Sequence, residues 1–471
     1  MKSNNLERNK LILGDADIIF MYSFDFGHPI DAKKIVNSLA DFGILLDQFK
    51  DNGSKKYADK CSKFVRNISY LDKMYISEED VHLNKYSRII FKERSYTNDS
   101  LDTDLIIFST LYDIGVGTLT VCVPLKGNHC IEEVINVVKL GLPAFPYSIV
   151  KKIPITAYKN SKYRDDKRID YIGYQYIQKI LEKGKKVGIK DKEEELVYDK
   201  IDCYPYITIR SFKEELSIDE FGKKYINELW GILSGDSAFE DLRKETIATY
   251  LDNIAIYNDR LAMPSEDGTI YVFGNEAKEV YNKTITTLNP NIKNFQDFIE
   301  YRVLAYYLFT EFYRFEVFYL KVLSWKLSLF LDIKLPTSSM NEIIKYYYLF
   351  SKNLEHYYNF GEYLLLYLPT WNRQVWKGLR EKEVSDSYNN LLEGLKIIET
   401  TVQLSNNRKN QAYAIIISFL LVLLSLISVS NLTYGIKVVV TIVAAILTSL
   451  IVWVFINWYF KNQLKKLIIK K

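Results

Sequence analysis

The residue types that most often carry catalysis are sparse and scattered in this sequence. Its histidines are His28, His82, His129 and His356, and the pair His129-Cys130 is adjacent rather than at metal-ligand spacing. The sequence contains neither a phosphate-binding P-loop nor a Gly-x-Gly-x-x-Gly fingerprint. We therefore predict a protein that is not an enzyme and that uses no catalytic residue, cofactor or metal site. A site assembled from distant residues would leave no local motif, so this prediction rests on pattern alone.

Three short motifs have structural interpretations that compete with chemical ones. Gly115-Val116-Gly117 is typical of a hairpin corner, because glycine reaches positive φ without strain. Ser234-Gly235-Asp236 follows a predicted helix and either ends that helix or contacts a ligand. We interpret His129-Cys130 as a surface turn. None of the four cysteines belongs to a Cys-x-x-Cys pair, which favours free thiols in a reducing compartment.

The most regular polar residues lie near the C-terminus, on a helical face whose positions are spaced alternately by four and three. This face consists of Asn407, Gln411, Ala414, Ser418, Leu421, Ser425 and Ser428. In lipid such a face prefers protein or water. Several copies around an axis would use it to line a pore, whereas a single hairpin would use it for close helix packing, and the spacing allows both. The candidate pore-lining residues are Asn407, Asn410, Gln411, Ser418, Ser425 and Ser428.

Two charge-free runs predict a transmembrane hairpin around these residues. Gln411 to Ile436 and Val438 to Phe460 contain no charged side chain. Each run supplies about 20 apolar residues, enough for a helix to cross roughly 30 Å of hydrocarbon. A buried hairpin in a soluble core is the alternative, and basic flanks on both sides argue against it.

Charge indicates the orientation of the hairpin and the partners of the chain. Eight Lys or Arg and no acid follow from Arg408 onward, so the earlier residues carry 54 positive and 58 negative groups, a net charge of −4. The positive-inside rule then predicts a multi-pass protein of the inner (plasma) membrane with both termini cytoplasmic. The basic tail suits anionic lipid head groups. No basic excess marks the body, so direct nucleic-acid binding is not expected.

Hydrophobic periodicity predicts an α+β body. Before Lys183 the predicted strands are Asp17–Phe26, Asp104–Leu111 and Thr118–Pro124, and the predicted helices are Asp31–Phe42 and Ile131–Leu142. We interpret Lys183–Glu195 as a charged linker. After it we predict a strand at Leu196–Ser211, a helix at Ile218–Leu233, and strands at Ile247–Tyr257 and Thr269–Phe273.

From residue 294 the pattern becomes helical. Phe295–Leu331 is a long amphipathic helix, and Ser339 with Glu342 forms a capping box that opens a second helix ending near Leu368. One further helix is predicted from near Ser385 to near Ser430. Its heptad seam packs either on preceding helices of the same chain or between subunits. The seam consists of Val384, Tyr388, Leu391, Leu395, Ile398 and Val402.

The predicted fold class is thus an α+β cytoplasmic body followed by long α-helices and a C-terminal two-helix transmembrane hairpin. The predicted domains are an N-terminal α+β subdomain (1–182), a second α+β subdomain (183–293), a helical stalk region (294–405) and the hairpin with its basic tail (406–471).

This layout resembles the CorA superfamily of divalent-cation channels, most closely over the last 80 residues. The local match is Ser405-Asn406-Asn407-Arg408-Lys409-Asn410 at the stalk–membrane junction and Tyr434-Gly435 after the first span. The resemblance implies a homo-oligomer, as a pentamer, whose first span lines the pore. The family has a Tyr-Gly-Met-Asn signature at the outer mouth, where this chain has Tyr434, Gly435, Ile436 and Lys437.

The missing signature makes the chain most similar to the CorA-like membrane effectors associated with type III CRISPR systems. An asparagine carbonyl holds a hydrated divalent cation, whereas the Lys437 ammonium repels it. The resemblance implies a body that senses a small nucleotide messenger and a membrane part that perturbs the bilayer in antiviral defence. The alternatives are a divergent Mg²⁺/Co²⁺ transporter regulated by cytosolic cation and a membrane-anchored scaffold without a pore.

Overall fold

The computed structural model describes most of the body and the three long helices. The described ranges are 11–45, 86–91, 94–98, 101–143, 152–154, 165–187, 197–237, 259–284, 292–366 and 370–429, with positions 239, 247, 255–256, 439 and 443. Within those ranges only the backbone is described for 43–45, 152–154, 255–256, 355–375, 378, 381, 408–409 and 420–429.

A large mixed sheet forms the centre of the body. The strands are β1 (Ile12–Leu13), β2 (Ala16–Asp25), β3 (Gly43–Leu45), β4 (Tyr86–Phe91), β5 (Arg94–Asn98), β6 (Leu101–Tyr112), β7 (Val116–Leu125), β8 (His129–Cys130), β9 (Lys152–Pro154), β10 (Lys200–Ile209), β11 (Ala255–Ile256), β12 (Arg260–Ser265) and β13 (Gly268–Phe273). The strand order of the sheet is β11-β12-β13-β10-β2-β7-β6-β4-β3, with β5 paired to β6 and β9 paired to β10, while β1 and β8 form a separate pair. The β10–β13 pair is parallel and the other pairs are antiparallel.

The helices divide into short ones and three long ones. A 3₁₀ turn at Ala40–Phe42 and a π turn at Phe330–Lys334 complete the set. The helices are α1 (Ala32–Ser38), α2 (Ile131–Gly141), α3 (Ile169–Val187), α4 (Ile218–Lys224), α5 (Ile226–Ser234), α6 (Ala277–Thr284), α7 (Phe295–Leu329), α8 (Met340–Leu366) and α9 (Thr370–Val429).

Helices cover both faces of the sheet, which explains why all ten residues of β2 are buried. Alternate side chains of a strand point to opposite faces. Phe20 and Tyr22 belong to the core that includes residues of α1 to α5, whereas Ile19 and Met21 pack with Phe298 and other residues of α7. A strand buried on two sides loses the polar alternation of a half-exposed strand.

The two predicted α+β subdomains share this one sheet. The strands β10, β12 and β13 follow residue 183, and they lie in the same sheet as β2 and β7, which precede it. The chain divides instead into two compact units. The first contains residues 1–322 with 359–385, and the second contains residues 323–358 with 386–471. The first unit therefore includes the whole sheet, most of α7 and the first turns of α9.

The long helices confirm the helical predictions and extend them. α8 begins after Ser339, whose N–H donates to Glu342 Oε2 at 2.7 Å in the predicted capping box. α9 starts at Thr370, well before the predicted Ser385, and continues for 60 residues. In the second unit, a Cβ added at Gly394 would lie 2.6 Å from Leu327 Cδ2 of the same chain. Most of the seam is buried within the chain, at Val384, Leu391, Leu395 and Ile398.

The predicted β-hairpin corner and the predicted helix end are confirmed, whereas the start of the charged linker, the surface turn and the start of the strand at Ile247, which is helical, are wrong. Gly115 has φ 95° at the β6–β7 corner, and Gly235 ends α5 in the left-handed conformation. α3 extends to Val187, so the charged linker cannot begin at Lys183, because its last lysines continue an amphipathic helix. His129-Cys130 forms β8 opposite Leu13 and Ile12 instead of a surface turn, since its backbone completes a ladder.

Candidate functional site

Five strands place polar side chains against α7. Arg88 of β4 donates to Glu311 Oε2 at 2.6 Å, and the Thr110 hydroxyl of β6 donates to Glu311 Oε1 at 2.6 Å. Both Arg88 and Glu311 are almost fully buried. Thr120 of β7 is hydrogen-bonded to the Tyr307 hydroxyl, and Tyr206 of β10 donates to a carbonyl of α7. On β12, Arg260 donates to the Tyr306 hydroxyl.

Arg314 is the most highly connected of these charges. Its guanidinium donates to Asp202 of β10 at 3.1 Å and to Glu383 of α9 at 2.6 Å. The same guanidinium lies over the Tyr204 ring, 4.2 Å from the centroid. Lys321 adds a second cation 3.7 Å from Asp202. Arg314 thereby connects the central sheet, α7 and the beginning of α9.

The beginning of α9 makes a second ionic contact with α7. Arg380 forms a bidentate pair with Glu316, with nitrogen–oxygen distances of 2.7, 2.9 and 3.1 Å. One turn earlier the fully buried Trp376 packs edge-on against Phe309 and Tyr313. We call the charged set the ionic layer, and it consists of Arg88, Asp202, Glu311, Arg314, Glu316, Arg380 and Glu383.

Charges in the ionic layer are balanced, because three guanidiniums and Lys321 face four carboxylates. Burial lowers the pKa of Arg314, but Glu383 and Asp202 more than offset it, so this pKa is raised above its ordinary value. Burial, reinforced by Glu383, raises the pKa of the Tyr313 phenol well above its usual range. The Arg314 guanidinium therefore stays charged and the Tyr313 phenol stays protonated at physiological pH.

This arrangement can hold elements in place. Each carboxylate is already engaged by a guanidinium or a hydroxyl, and a buried ion pair is strongly destabilised when one partner is lost. In the part of the chain that the structure describes, no group of three or more His, Cys, Asp or Glu could hold a metal ion. The layer is therefore a connection between the sheet and the two longest helices.

Sequence reasoning missed this layer, although one signal was present. Glu311, Arg314 and Glu316 are charges within the aromatic part of the predicted amphipathic helix. Isolated charges on an apolar helix imply paired partners, since an unpaired buried charge is too costly. Their partners lie between 64 and 223 residues away in sequence, so the pairing itself leaves no local pattern.

The predicted polar face lies on the last part of α9. Asn407, Asn410, Gln411 and Ser418 are exposed, and Asn407, Gln411 and Ser418 lie on one face of the helix. Ser425 and Ser428 lie on the same helix, but their side chains are outside the described residues. The outer-mouth positions Tyr434, Gly435, Ile436 and Lys437 are also outside them.

Large apolar side chains are exposed on either side of this polar face. Tyr413, Ile415, Ile417 and Phe419 have exposed fractions of 61, 60, 57 and 45%. Among the side chains that the structure describes, none of the helices has a stretch long and apolar enough to span a membrane. The two predicted spans, 411–436 and 438–460, fall mostly outside the described side chains.

Comparison with known proteins gives no relative for this chain. No family model matches it, and neither a curated protein nor a solved structure does so.

Proposed function

We propose that this chain is an oligomeric, CorA-like membrane effector whose body controls the last helix. The exposed apolar residues of α9 carry the proposal. Tyr413 with Ile417 and Ile415 with Phe419 lie about 200° apart around the helix. A single packing partner covers one side of a helix, whereas lipid covers all of its apolar sides.

The polar face between these apolar sides favours a pore over a plain anchor. Gln411 and Ser418 lie on the third side of the same segment, and polar groups at membrane depth prefer water or protein. In a ring of several copies this face would meet the axis and the apolar sides would meet lipid and neighbouring helices. Most of the seam of α9 is already buried within one chain, so the seam is not needed for contacts between copies. The polar face can then point toward the axis of the ring.

We assign to the body the sensing of a small nucleotide messenger in antiviral defence of the type III CRISPR kind. The assignment is supported by the layout and by Lys437, which stands where the divalent-cation channels have asparagine. An ammonium at an outer mouth disfavours divalent cations. Both termini would be cytoplasmic in the inner membrane, and the lipid bilayer and further copies of the chain are the proposed partners.

The ionic layer supplies the connection that such an effector needs. A ligand shifts a conformational equilibrium only when it binds one state more tightly than the other. Arg314 touches Asp202 on β10 and Glu383 on α9, so a change in the sheet alters contacts at the beginning of the helix. The continuous α9 then reaches the polar face without a break at any described residue.

Ion flux through the purified full-length protein in liposomes tests the proposal. We expect flux that appears only with one member of a panel of nucleotide second messengers. Ser418→Leu should abolish this flux, because it places an apolar side chain on the polar face. Ile417→Leu, one residue away on an apolar side, is the matched control and should conduct normally.

Other outcomes favour the alternatives. Constitutive Mg²⁺ or Co²⁺ flux that cytosolic-side Mg²⁺ suppresses would identify a divalent-cation transporter. A monomer that conducts ions under no tested condition would favour the membrane-anchored scaffold. Equal flux in the Ser418→Leu and wild-type proteins would show that the polar face does not line the pore.

A further inference from the structure

A basic stripe with an exposed aromatic ring runs along one side of α3 in the first unit. Tyr176, Lys179, Lys183 and Lys186 are spaced by three, four and three residues and therefore share a helical face. Phe42, from the 3₁₀ turn that follows α1, lies over this face with 43% of its surface exposed. We call these five residues the lysine stripe.

Two ammonium groups converge on the Phe42 ring. Lys179 Nζ is 5.4 Å from the ring centroid, and Lys183 Nζ is 6.0 Å from it. Lys179 Nζ is also 5.4 Å from the centroid of Tyr176. Phe42 therefore presents one exposed ring to two ammonium groups, an arrangement in which the ring face attracts the cations.

The stripe places three lysines on one side of α3. Like charges four residues apart on a helix destabilise it, as Lys179 and Lys183 do here. Among the described residues, no carboxylate forms an ion pair with either ammonium, although Glu182 is their neighbour in sequence. A bound anion would relieve this repulsion, and phosphate groups are the anions that lysines commonly bind.

We propose that the lysine stripe binds a nucleotide, with its phosphates on Lys179 and Lys183 and its base stacked on Phe42. Every nucleobase has a π-face, so an exposed ring beside cations is a stacking platform for a base. This inference rests on the proposed nucleotide sensing and names its site.

Binding to the full-length protein in detergent tests the stripe with defined probes. The probes are ATP, a 5′-phosphorylated triadenylate, adenosine and tripolyphosphate. We expect the phosphorylated adenine compounds to bind at least tenfold more tightly than adenosine or tripolyphosphate, because only they supply both base and phosphates. Lys179→Gln/Lys183→Gln and Phe42→Ala should each weaken that binding at least tenfold.

Lys185→Gln is the matched control, since Lys185 is exposed on the same helix but about 200° from Lys183. It should bind as the wild type does. Lysine acetylation of the unmodified protein gives a second readout that needs no variant. Bound nucleotide should protect Lys179 and Lys183 from acetylation and leave Lys185 reactive.

The proposal is overturned if no phosphorylated adenine compound binds, or if binding is the same in the double variant and in the Lys185→Gln control. Tighter, steeply salt-dependent binding of a 12-nucleotide RNA would also overturn it in favour of nucleic acid. Nucleotide-triggered flux that survives the double variant refutes the stripe but leaves the proposed function standing. Nucleotide binding at the stripe without any triggered flux refutes the function and leaves the stripe standing.

Discussion

At the residue scale, the buried charges of α7 show what stabilises the body and what the sequence hides. Burying an isolated ion is far more costly than burying a paired one, and a pair replaced by apolar residues of similar volume is often neutral or stabilising. Arg380 and Glu316 are both nearly fully buried in a bidentate pair. The pair therefore holds α7 and α9 in position more than it adds stability. Each ion compensates the buried charge of the other.

We expect Glu316→Leu alone to lower the free energy of unfolding by about 3–5 kcal/mol, because it leaves the Arg380 guanidinium buried without its carboxylate. Glu316→Leu/Arg380→Met should recover most of that loss. Denaturant unfolding of the purified protein measures both. The exposed pair Asp219 and Lys223 is the control, where Lys223→Ala should cost about 1 kcal/mol or less. A double variant no more stable than Glu316→Leu would contradict this account.

Tyr198 gives a prediction on pH. Burial, then the nearby Asp202 and Asp199, raise the pKa of this phenol from 10.0 to about 12. The folded protein therefore keeps a proton that the unfolded chain releases from about pH 10, so stability is complete below pH 10 and falls as the pH rises toward 12. Unfolding measured between pH 9 and 11.5 should show a shallower decline for Tyr198→Phe. Tyr348→Phe, at an exposed position, should follow the wild-type curve.

At the element scale, local patterns predicted most helices and strands because their causes are local. The capping box at Ser339, the corner at Gly115 and the end of α5 at Gly235 each depend on residues within one turn. The order of the sheet depends on pairings such as β10 with β2, whose paired residues lie 179 to 193 positions apart, and no short pattern encodes them. The ionic layer escaped prediction for the same reason.

Gly394 shows how a close approach between elements fixes the seam of α9. An added Cβ would lie 2.6 Å from Leu327 Cδ2 and 3.3 Å from Leu331 Cδ1. Overpacking of this kind costs about 1–3 kcal/mol, more than the roughly 1 kcal/mol that alanine gains over glycine in a helix.

We therefore expect Gly394→Leu to lower the melting temperature clearly, and Gly394→Ala to lower it less. Thermal unfolding of the full-length protein measures the shift. Asn390→Leu, which adds a similar side chain at an exposed position one turn earlier, should have little effect. Equal melting temperatures for Gly394→Leu and Asn390→Leu would show that the seam is not packed against Leu327.

At the scale of the whole molecule, the proposed function requires that the body and the polar face of α9 respond to each other. Coupling between sites is a free energy, and a change at the connecting contacts must change the response to ligand. The contact at Glu383 is the best place to test this, because it accepts from Arg314 at 2.6 Å and from the Tyr313 hydroxyl. Its neighbour Lys382 pairs with Glu266 instead, in an exposed ion pair of 3.1 Å.

Glu383→Gln keeps the size and the acceptor oxygen of the side chain but removes the charge that Arg314 faces. Hydrogen bonds to charged groups contribute about 1.5–3 kcal/mol, so the nucleotide concentration for half-maximal flux should move by at least tenfold. Liposome flux recorded over a nucleotide titration measures the shift. Glu266→Gln removes a charge from the neighbouring exposed pair and should leave the titration unchanged, because surface pairs contribute little. Identical titrations for the two variants would mean that the ionic layer supports the fold without transmitting the signal. The connection from the body to the polar face would then have to run through other contacts of α9.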